Sequence, residues 1–223
     1  MEEIAASLTG MSLGRPVRLA IDGRTASGKT FLGNEIAATL RAGGRPIIRA
    51  SLDAFHRPQA ERYARGRYSA QGYYEDAQDL PAVAKLLLDP LGPHGDRMYR
   101  TKSFDLKTDA PVEQESRLAP ADAILVFDGP FLQRPELRDA WDVTLFVEIS
   151  EQTSQRRGVP RDAARLAGEQ NARRLYTERY GPAFDLYEQT CAPEKSADIV
   201  LVNDDVQNPQ IHVRPNRRSV SRS

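Results

Sequence analysis

The chain has 223 residues, which is enough to bury the core of one α/β domain with insertions but is cramped for two full domains. Its 31 basic and 31 acidic residues cancel, which excludes a global electrostatic attraction to nucleic acid or to a membrane surface. The single cysteine, Cys191, excludes an internal disulfide framework, and without a signal peptide or an apolar run of membrane-spanning length the sequence predicts a cytoplasmic protein.

The first predicted strand leads into a glycine-rich pattern that is typical of phosphate binding. The apolar residues 19–21 lead through Asp22 into Gly23-x-x-x-x-Gly28-Lys29-Thr30, and a helical repeat of apolar residues follows. In such a P-loop the glycines let backbone N–H groups converge on phosphate oxygens at a helix N-terminus. We expect Lys29 to reach the β- and γ-phosphates of ATP and the Thr30 hydroxyl to hold Mg²⁺. The alternative is a glycine-rich turn that binds nothing.

A second strand is predicted at residues 46–51, and Asp53, Phe55 and His56 follow it directly. Ligands of parallel α/β sheets bind beyond the carboxyl ends of the strands, so Asp53 is the candidate general base for a substrate hydroxyl. An N-cap or Asx-turn role for Asp53 is the alternative, and His56 is equally compatible with a turn.

Arginines and tyrosines alternate irregularly through residues 57–74, ending at Tyr73 and Tyr74. Tyrosine offers a stacking face with a polar tip and arginine a fork for oxygen atoms, so the pattern favours a substrate-side lobe. Binding of single-stranded nucleic acid and a solvated helix face are the alternatives.

An insertion is predicted at about residues 91–112, after a helix over residues 76–88. From Met98 to Leu106 its approximate period of two predicts a β-hairpin that carries Tyr99, Arg100 and Phe104. Substrate selection commonly lies in such rim insertions.

The clearest buried strand covers residues 123–128 and ends at Asp128, which is expected to contact Mg²⁺ or its water in the manner of a Walker B acid. Strands also end in Asp-Gly for turn reasons alone. Further strands at residues 143–149 and 197–202 predict a parallel sheet of at least five strands. Residues 206–223 have no apolar period and are predicted to form a disordered tail.

Arginines cluster on predicted helices after residue 150, and we expect a lid over about residues 151–180. Arg157, Arg161 and Arg165 are candidates to meet the charge that develops on a transferred phosphoryl group as the lid closes. Pro160 is expected to break the first helix and act as a joint. The alternative is a solvated helix face with weak surface ion pairs.

Six segments carry a family resemblance, namely residues 23–30, 52–55, 74–79 and 127–132, the arginine segment from Arg157, and residues 180–187. In this order they resemble the uridine kinase and phosphoribulokinase group of P-loop kinases, and most closely the bacterial uridine kinase-like proteins, over residues 17–202. The resemblance implies that Asp53 is the base for the accepting hydroxyl and that Asp128 serves the metal. It also implies that Arg157, Arg161 and Arg165 contact phosphates.

Two positions depart from the pattern of uridine kinases. Tyr73 stands where they carry an acidic substrate contact, and Phe104 where they carry a histidine for the base. The resemblance as a whole predicts ATP-dependent phosphorylation of a hydroxyl group, of a nucleoside such as uridine or cytidine. Two alternatives stay open. The acceptor can be another compound, such as pantothenate, nicotinamide riboside or a sugar phosphate, or the protein can be a non-catalytic nucleotide-dependent switch.

The predicted fold is a P-loop three-layer α/β/α sandwich, with one kinase domain at residues 1–205. The expected partners are ATP, Mg²⁺ and a small hydroxyl-bearing substrate. Neither nucleic acid nor a membrane is an expected partner, and the formation of an oligomer stays open. The candidate site residues are, for catalysis, Asp53, Lys29, Arg157 and Arg161; for nucleotide, Gly23, Arg24, Thr25, Ala26, Ser27, Gly28, Lys29, Thr30 and Arg165; for substrate, Asp53, Phe55, His56, Tyr73, Tyr74, Tyr99 and Arg100; and for metal, Thr30 and Asp128.

Overall fold

The computed structural model describes residues 2–214, and its centre is a mostly parallel sheet with helices on both faces. The strands are β1 (Val17–Gly23), β2 (Ile47–Ser51), β3 (Met98–Tyr99), β4 (Phe104–Asp105), β5 (Ala110–Pro111), β6 (Arg117–Leu118), β7 (Ile124–Asp128), β8 (Val143–Glu148), β9 (Ile199–Val202) and β10 (Gln210–Val213). The helices are α1 (Glu2–Thr9), α2 (Lys29–Ala42), α3 (Gln59–Arg62), α4 (Ala70–Asp76), α5 (Leu80–Val83), α6 (Glu151–Ala163), α7 (Glu169–Leu175), α8 (Gly181–Cys191) and α9 (Pro193–Ser196). Short 3-10 turns lie at Leu52–Ala54 and Arg138–Ala140, and π-helical segments at Ala84–Leu88 and Tyr176–Tyr180.

The strand order brings three strand ends together at one edge of the sheet. The order is β10-β9-β8-β1-β7-β2, and the neighbours are parallel except for β9 and β10. Ile21 of β1 and Ser51 of β2 both lie opposite Asp128 of β7. The P-loop after β1, the turn after β2 and Asp128 therefore share the carboxyl edge, where ligands of α/β sheets bind.

Alternate residues of β1 point into two apolar layers, one on each face of the sheet. Leu19 and Ile21 pack in the layer that holds residues of α1 and α2, whereas Ala20 packs in the layer that holds Phe127 and Trp141. All seven residues of β1 are buried, as expected for a strand covered on both faces. These layers confirm the predicted α/β/α architecture. Among residues 2–214, no helix is both long enough and apolar enough to cross a bilayer.

The predicted disordered tail is wrong for its first part. Residues 210–213 form β10, which pairs antiparallel with β9 and extends the sheet to six strands. Ile211 lies opposite Leu201 and packs against the core, while the other three residues of β10 are exposed. One buried side chain in four is too little for an apolar period, so the sequence pattern did not indicate this edge strand. Residues 215–223 of the predicted tail lie outside the described residues.

Two further predictions need correction. The single hairpin expected at residues 98–106 is instead two small antiparallel ladders. β3 pairs with β6, which is distant in sequence, and β4 pairs with β5 across the short connection at residues 106–109. Pro160 does not break its helix, since α6 runs from Glu151 to Ala163 with Pro160 inside. The proline removes one helical hydrogen bond, but Gly158 and Val159 stay buried against the rest of the lid.

Candidate active site

The P-loop joins β1 to α2 through backbone conformations that favour glycine. Gly23 has φ 146° and a Cβ there would lie 2.4 Å from the carbonyl oxygen of Val147. Gly28 has φ 97° directly before α2, and no side chain caps the first turn of that helix. Its N–H groups are thus available to an anion, which is the property that phosphate binding requires.

Lys29 is buried at the start of α2 and lies back along the loop. Its Nζ donates to the carbonyl of Arg24 at 2.7 Å and to Oγ of Ser27 at 3.4 Å. Burial lowers the pKa of Lys29 to about 8, although Asp22 and Asp128 act in the opposite direction. A buried lysine that contacts only neutral protein oxygens is well placed to bind an anion at the same loop.

Thr30 and Asp128 provide two oxygens that fit Mg²⁺. Thr30 Oγ1 donates to Asp128 Oδ2 at 2.6 Å. Asp128 Oδ1 is buried without an aligned hydrogen bond, although Nη2 of Arg49 lies 2.6 Å away. Hydroxyl and carboxylate oxygens are the hard ligands that Mg²⁺ prefers. Residues 2–214 hold no cluster of three or more His, Cys, Asp or Glu side chains suited to a metal.

A cleft of about 680 Å³ opens beside the P-loop, and we call it the Asp53 cleft. Several predicted residues line it, namely Thr25, Asp53, His56, Tyr73, Arg161 and Arg165. Asp53 is the middle residue of the 3-10 turn Leu52–Ala54 after β2, and its side chain is 76% exposed. Ser51 Oγ, not the Asp53 carboxylate, accepts the turn's N–H, so Asp53 does not serve as the cap that the alternative required.

The imidazole ring of His56 faces the carboxylate of Asp53. Its Nδ1 donates to the carbonyl of Ala77 at 2.9 Å, and its Nε2 lies 3.7 Å from Asp53 Oδ1. This neighbour, aided by the charges of Lys29 and Arg165, holds the pKa of Asp53 below its ordinary value. Asp53 is thus an open carboxylate at neutral pH, as a general base must be.

The lid arginines divide between two places. Arg161 and Arg165 line the Asp53 cleft, and both pair with Asp162, at 3.0 and 3.6 Å. Arg157 instead donates through Nη2 to the backbone carbonyls of Asn203 and Asp204. One turn of α6 separates Arg157 from Arg161, so both start from the same helix face, and their guanidinium groups nevertheless line different cavities.

Arg157 lines a second pocket of about 360 Å³, which we call the Asn203 pocket. Its walls are mainly apolar and include Ala26, Phe31, Leu201, Val206 and Ile211. Asn203 Nδ2 donates to the carbonyl of Ser27 at 2.8 Å and ties this pocket to the P-loop. The sequence reasoning missed Asn203, although its position directly after β9, at the ligand-binding edge, was an available signal.

Four of the predicted substrate contacts and the side chain of Arg24 do not line the Asp53 cleft. Phe55 is fully buried against Phe127, and Tyr74 packs on Phe131 and Tyr187. Both are therefore core residues and not substrate contacts.

The other three are held elsewhere by their own partners. Tyr99 packs against the core layer, and Arg100 Nε donates to Ser116 Oγ. The Arg24 side chain turns away from the loop, with its guanidinium 4.3 Å from the Phe184 ring and its Nη2 3.2 Å from Glu188. Arg24 can thus serve a nucleotide only through its backbone.

The Asp53 cleft also contains residues that were not singled out as site residues, namely Arg62, Tyr63, Lys107, Asp162, Arg179 and Tyr180. Arg62 and Tyr63 belong to the arginine–tyrosine stretch, whose composition was the available signal. Arg179 and Tyr180 lie at the end of the π-helical segment that leads into α8, and no sequence pattern indicated that they face Asp53.

No family model matches the chain. The chain is 31% identical over 188 residues to uridine-cytidine kinase B of Dictyostelium discoideum, an alignment that covers 83% of this chain and 74% of that protein. It is 26% identical over 190 residues to uridine kinase-like protein 5 of Arabidopsis thaliana, covering 85% of this chain but only 39% of the longer plant protein. A solved structure described as a possible uridine kinase from Bacillus stearothermophilus has the same fold, with a TM-score of 0.70 and 24% identity over 89% of this chain and 95% of that one.

Proposed function

Since the chain belongs to the uridine kinase-like family of P-loop kinases, we propose that it transfers the γ-phosphoryl group of ATP to a hydroxyl group of a small molecule. The observation that carries the proposal is the Asp53 carboxylate, which is ionised, open to the cleft, and in the same cavity as Thr25 of the P-loop. A base that faces a phosphate-binding loop across a cleft is the arrangement that phosphoryl transfer to an alcohol needs.

Each residue has a distinct part in this proposal. The P-loop amides and Lys29 bind the phosphates, and Asp53 accepts the proton of the substrate hydroxyl as its oxygen attacks the γ-phosphorus. The bond to ADP breaks, and ADP leaves with the electron pair. Arg161 and Arg165 stabilise the charge that develops on the transferred group. Mg²⁺, held through Thr30 and Asp128, would neutralise phosphate charge when bound.

We place the nucleotide base in the Asn203 pocket. Its apolar walls offer the stacking surface that an aromatic base requires, and the pocket adjoins Ala26 and Gly28 of the P-loop. Arg157, whose guanidinium is fixed on the carbonyls of Asn203 and Asp204, then belongs to the base end of the site.

Uridine and cytidine, the substrates in the relatives' names, are the first acceptors to assay. Two observations favour another class. Tyr73 packs on Phe131 and Tyr180 and supplies no carboxylate, and Phe104 is 5% exposed and does not line the cleft. The rival outside enzymology, a nucleotide-dependent switch, predicts slow ATP hydrolysis that no acceptor stimulates.

The test is ADP release by purified protein with ATP, Mg²⁺ and candidate acceptors. Asp53→Asn should lower kcat by on the order of 100-fold or more, because the hydroxyl proton loses its acceptor, while the Kd for ATP stays within about twofold. Asp139→Asn, at a 92% exposed side chain outside both cavities, is the matched control. Full turnover by Asp53→Asn would remove Asp53 from the role of base.

A further inference from the structure

Arg179 is a buried cation that lines the Asp53 cleft and has no anionic partner. The residue is 4% exposed, and its Cζ lies 5.0 Å from the ring centroid of Tyr63 and 4.9 Å from that of Tyr73. Nη1 donates to the carbonyl of Arg67 at 2.6 Å. Across residues 2–214 its other nitrogens make no hydrogen bond and no carboxylate pairs with it.

This arrangement is costly for the free protein. Buried charges in proteins are generally paired, since their removal from water is costly. The two tyrosine faces compensate part of that cost, and burial lowers the pKa of Arg179. A buried guanidinium that faces a cavity with free donors is therefore an anion site that the protein itself does not fill.

The surroundings of Arg179 reinforce its positive charge. Arg62 lines the same cleft, and its positive charge repels that of Arg179. Arg62 is partly neutralised by Asp109 at 2.6 Å, which lies outside the cleft lining. Lys107 also lines the cleft and makes no ion pair within the described chain.

The acidic residues of the cleft do not balance these cations. Asp162 is already paired with Arg161 and Arg165, and Asp53 is the proposed base. Arg62, Lys107 and Arg179 therefore form a positive group that neither the P-loop nor the transferred phosphoryl group accounts for. We call them the Arg179 group.

We propose that the acceptor is a hydroxyl compound that carries an oxyanion, either a carboxylate or a phosphate monoester, and that the Arg179 group binds that anion. The inference rests on the proposed function and names its substrate class. Tyr73 lines the same cleft as Asp53, and its ring centroid lies 4.9 Å from Cζ of Arg179. The acceptor would then span Tyr73, with its hydroxyl at Asp53 and its anion at Arg179. A neutral nucleoside would leave Arg179 unpaired.

The first experiment measures ADP release by the full chain with ATP, Mg²⁺ and three panels of acceptors. The panels are neutral nucleosides (uridine, cytidine), hydroxycarboxylates (D-glycerate, pantothenate) and sugar phosphates (ribose 5-phosphate, ribulose 5-phosphate). We expect kcat/KM for a member of one anionic panel to exceed that for uridine at least 100-fold, and the panel that responds identifies the anion. Uridine or cytidine as the best acceptor would overturn the inference and leave the kinase proposal standing.

The second experiment isolates Arg179. Arg179→Met should raise the KM for the anionic acceptor at least 30-fold, with the Kd for ATP unchanged and kcat affected less. Arg179→Lys should recover part of the loss, because it restores charge without the guanidinium fork. Arg173→Met is the matched control, since Arg173 is 59% exposed and pairs with Glu169 on α7. Unchanged KM in Arg179→Met would overturn the inference.

Binding measurements separate this inference from the catalytic proposal. With the P-loop saturated by a nonhydrolysable ATP analogue and Mg²⁺, calorimetry should detect a member of one anionic panel bound to wild type, and at least 30-fold weaker binding to Arg179→Met. That result without any turnover would support the anion site and reject the kinase proposal. Absence of binding by both anionic panels would overturn the inference whatever the turnover.

Discussion

At the scale of single residues, the carboxyl edge of the sheet combines buried charge with functional groups. Asp22 is fully buried just before the P-loop, and it accepts hydrogen bonds from the N–H of Gly23, from Gln133 and from the hydroxyl of Tyr187. Burial raises the pKa of Asp22, and Asp22 in turn favours the charged form of Lys29. The P-loop is therefore flanked by ionisable groups whose burial disfavours their charged forms.

Lys29→Met should stabilise the protein while abolishing phosphoryl transfer. The depressed pKa of Lys29, about 8 against an ordinary 10.5, corresponds to a burial cost on the order of 3 kcal/mol for the charged form. Loss of the hydrogen bond from Lys29 to Arg24 costs about 1 kcal/mol and offsets part of this gain. We therefore expect the free energy of unfolding, measured in urea at pH 7, to increase by about 1 to 2 kcal/mol.

The pH dependence checks the cause of that gain. Between about pH 8 and 10.5 the unfolded chain retains the Lys29 proton that the folded protein has released, so wild-type stability rises with pH relative to Lys29→Met. The advantage of the variant should therefore be full below pH 8 and shrink by pH 10. A difference that does not change with pH would assign the gain to packing and not to charge.

At the scale of elements, α6 approaches closely the π-helical segment that follows α7. A Cβ at Gly158 would lie 1.8 Å from the hydroxyl oxygen of Tyr176. That hydroxyl donates to Asp162, the residue that also pairs with Arg161 and Arg165. The position of two cleft arginines thus depends on a glycine outside the cleft lining.

Gly158→Ala should displace Tyr176 and disturb this network. We expect a loss of about 1 to 3 kcal/mol in stability from overpacking, and at least a tenfold loss of kcat with a smaller change in the Kd for ATP. Gly10→Ala is the control, because its Cβ would meet nothing closer than 3.9 Å. Unfolding in urea and ADP release are the two readouts, and wild-type values in both would show that α6 can shift without cost.

At the scale of the whole molecule, the central sheet lies between two apolar layers, and its strands contribute side chains to both. Trp141 is 1% exposed in one layer, stacks on Phe127 at 5.5 Å and donates through Nε1 to the carbonyl of Leu132 at 2.7 Å. Phe127 belongs to β7, which pairs with both β1 and β2. Loss of either layer would expose strands shared by the other, so the layers should unfold together.

We expect fluorescence of Trp141, the only tryptophan of the chain, to report global unfolding. Its emission should be blue-shifted in the native protein and should shift to the red in one urea transition that coincides with the loss of far-UV circular dichroism. Trp141→Phe removes the signal and verifies its origin. A fluorescence transition that precedes the dichroism change would show that the Trp141 layer unfolds independently.

Local patterns in the sequence sufficed to predict where the parallel strands and the P-loop lie, and that Asp53 and Asp128 follow or end strands. Each of these predictions depends on short-range features. A buried strand is a continuous apolar run, and a P-loop needs glycines at fixed spacing before a helix. Strand ends at a common edge then bring Asp53 and Asp128 to the P-loop without further information.

Only the tertiary structure decided the direction of side chains and the composition of the clefts. Phe55 and Asp53 are two residues apart, yet one is core and the other is open to solvent. Arg157 and Arg161 lie one turn apart and serve different cavities. Arg179 reaches the Asp53 cleft through a π-helical segment that apolar periodicity cannot reveal. The physical reason is that burial and charge pairing depend on distant elements, and the cations of the cleft come together only where those elements meet.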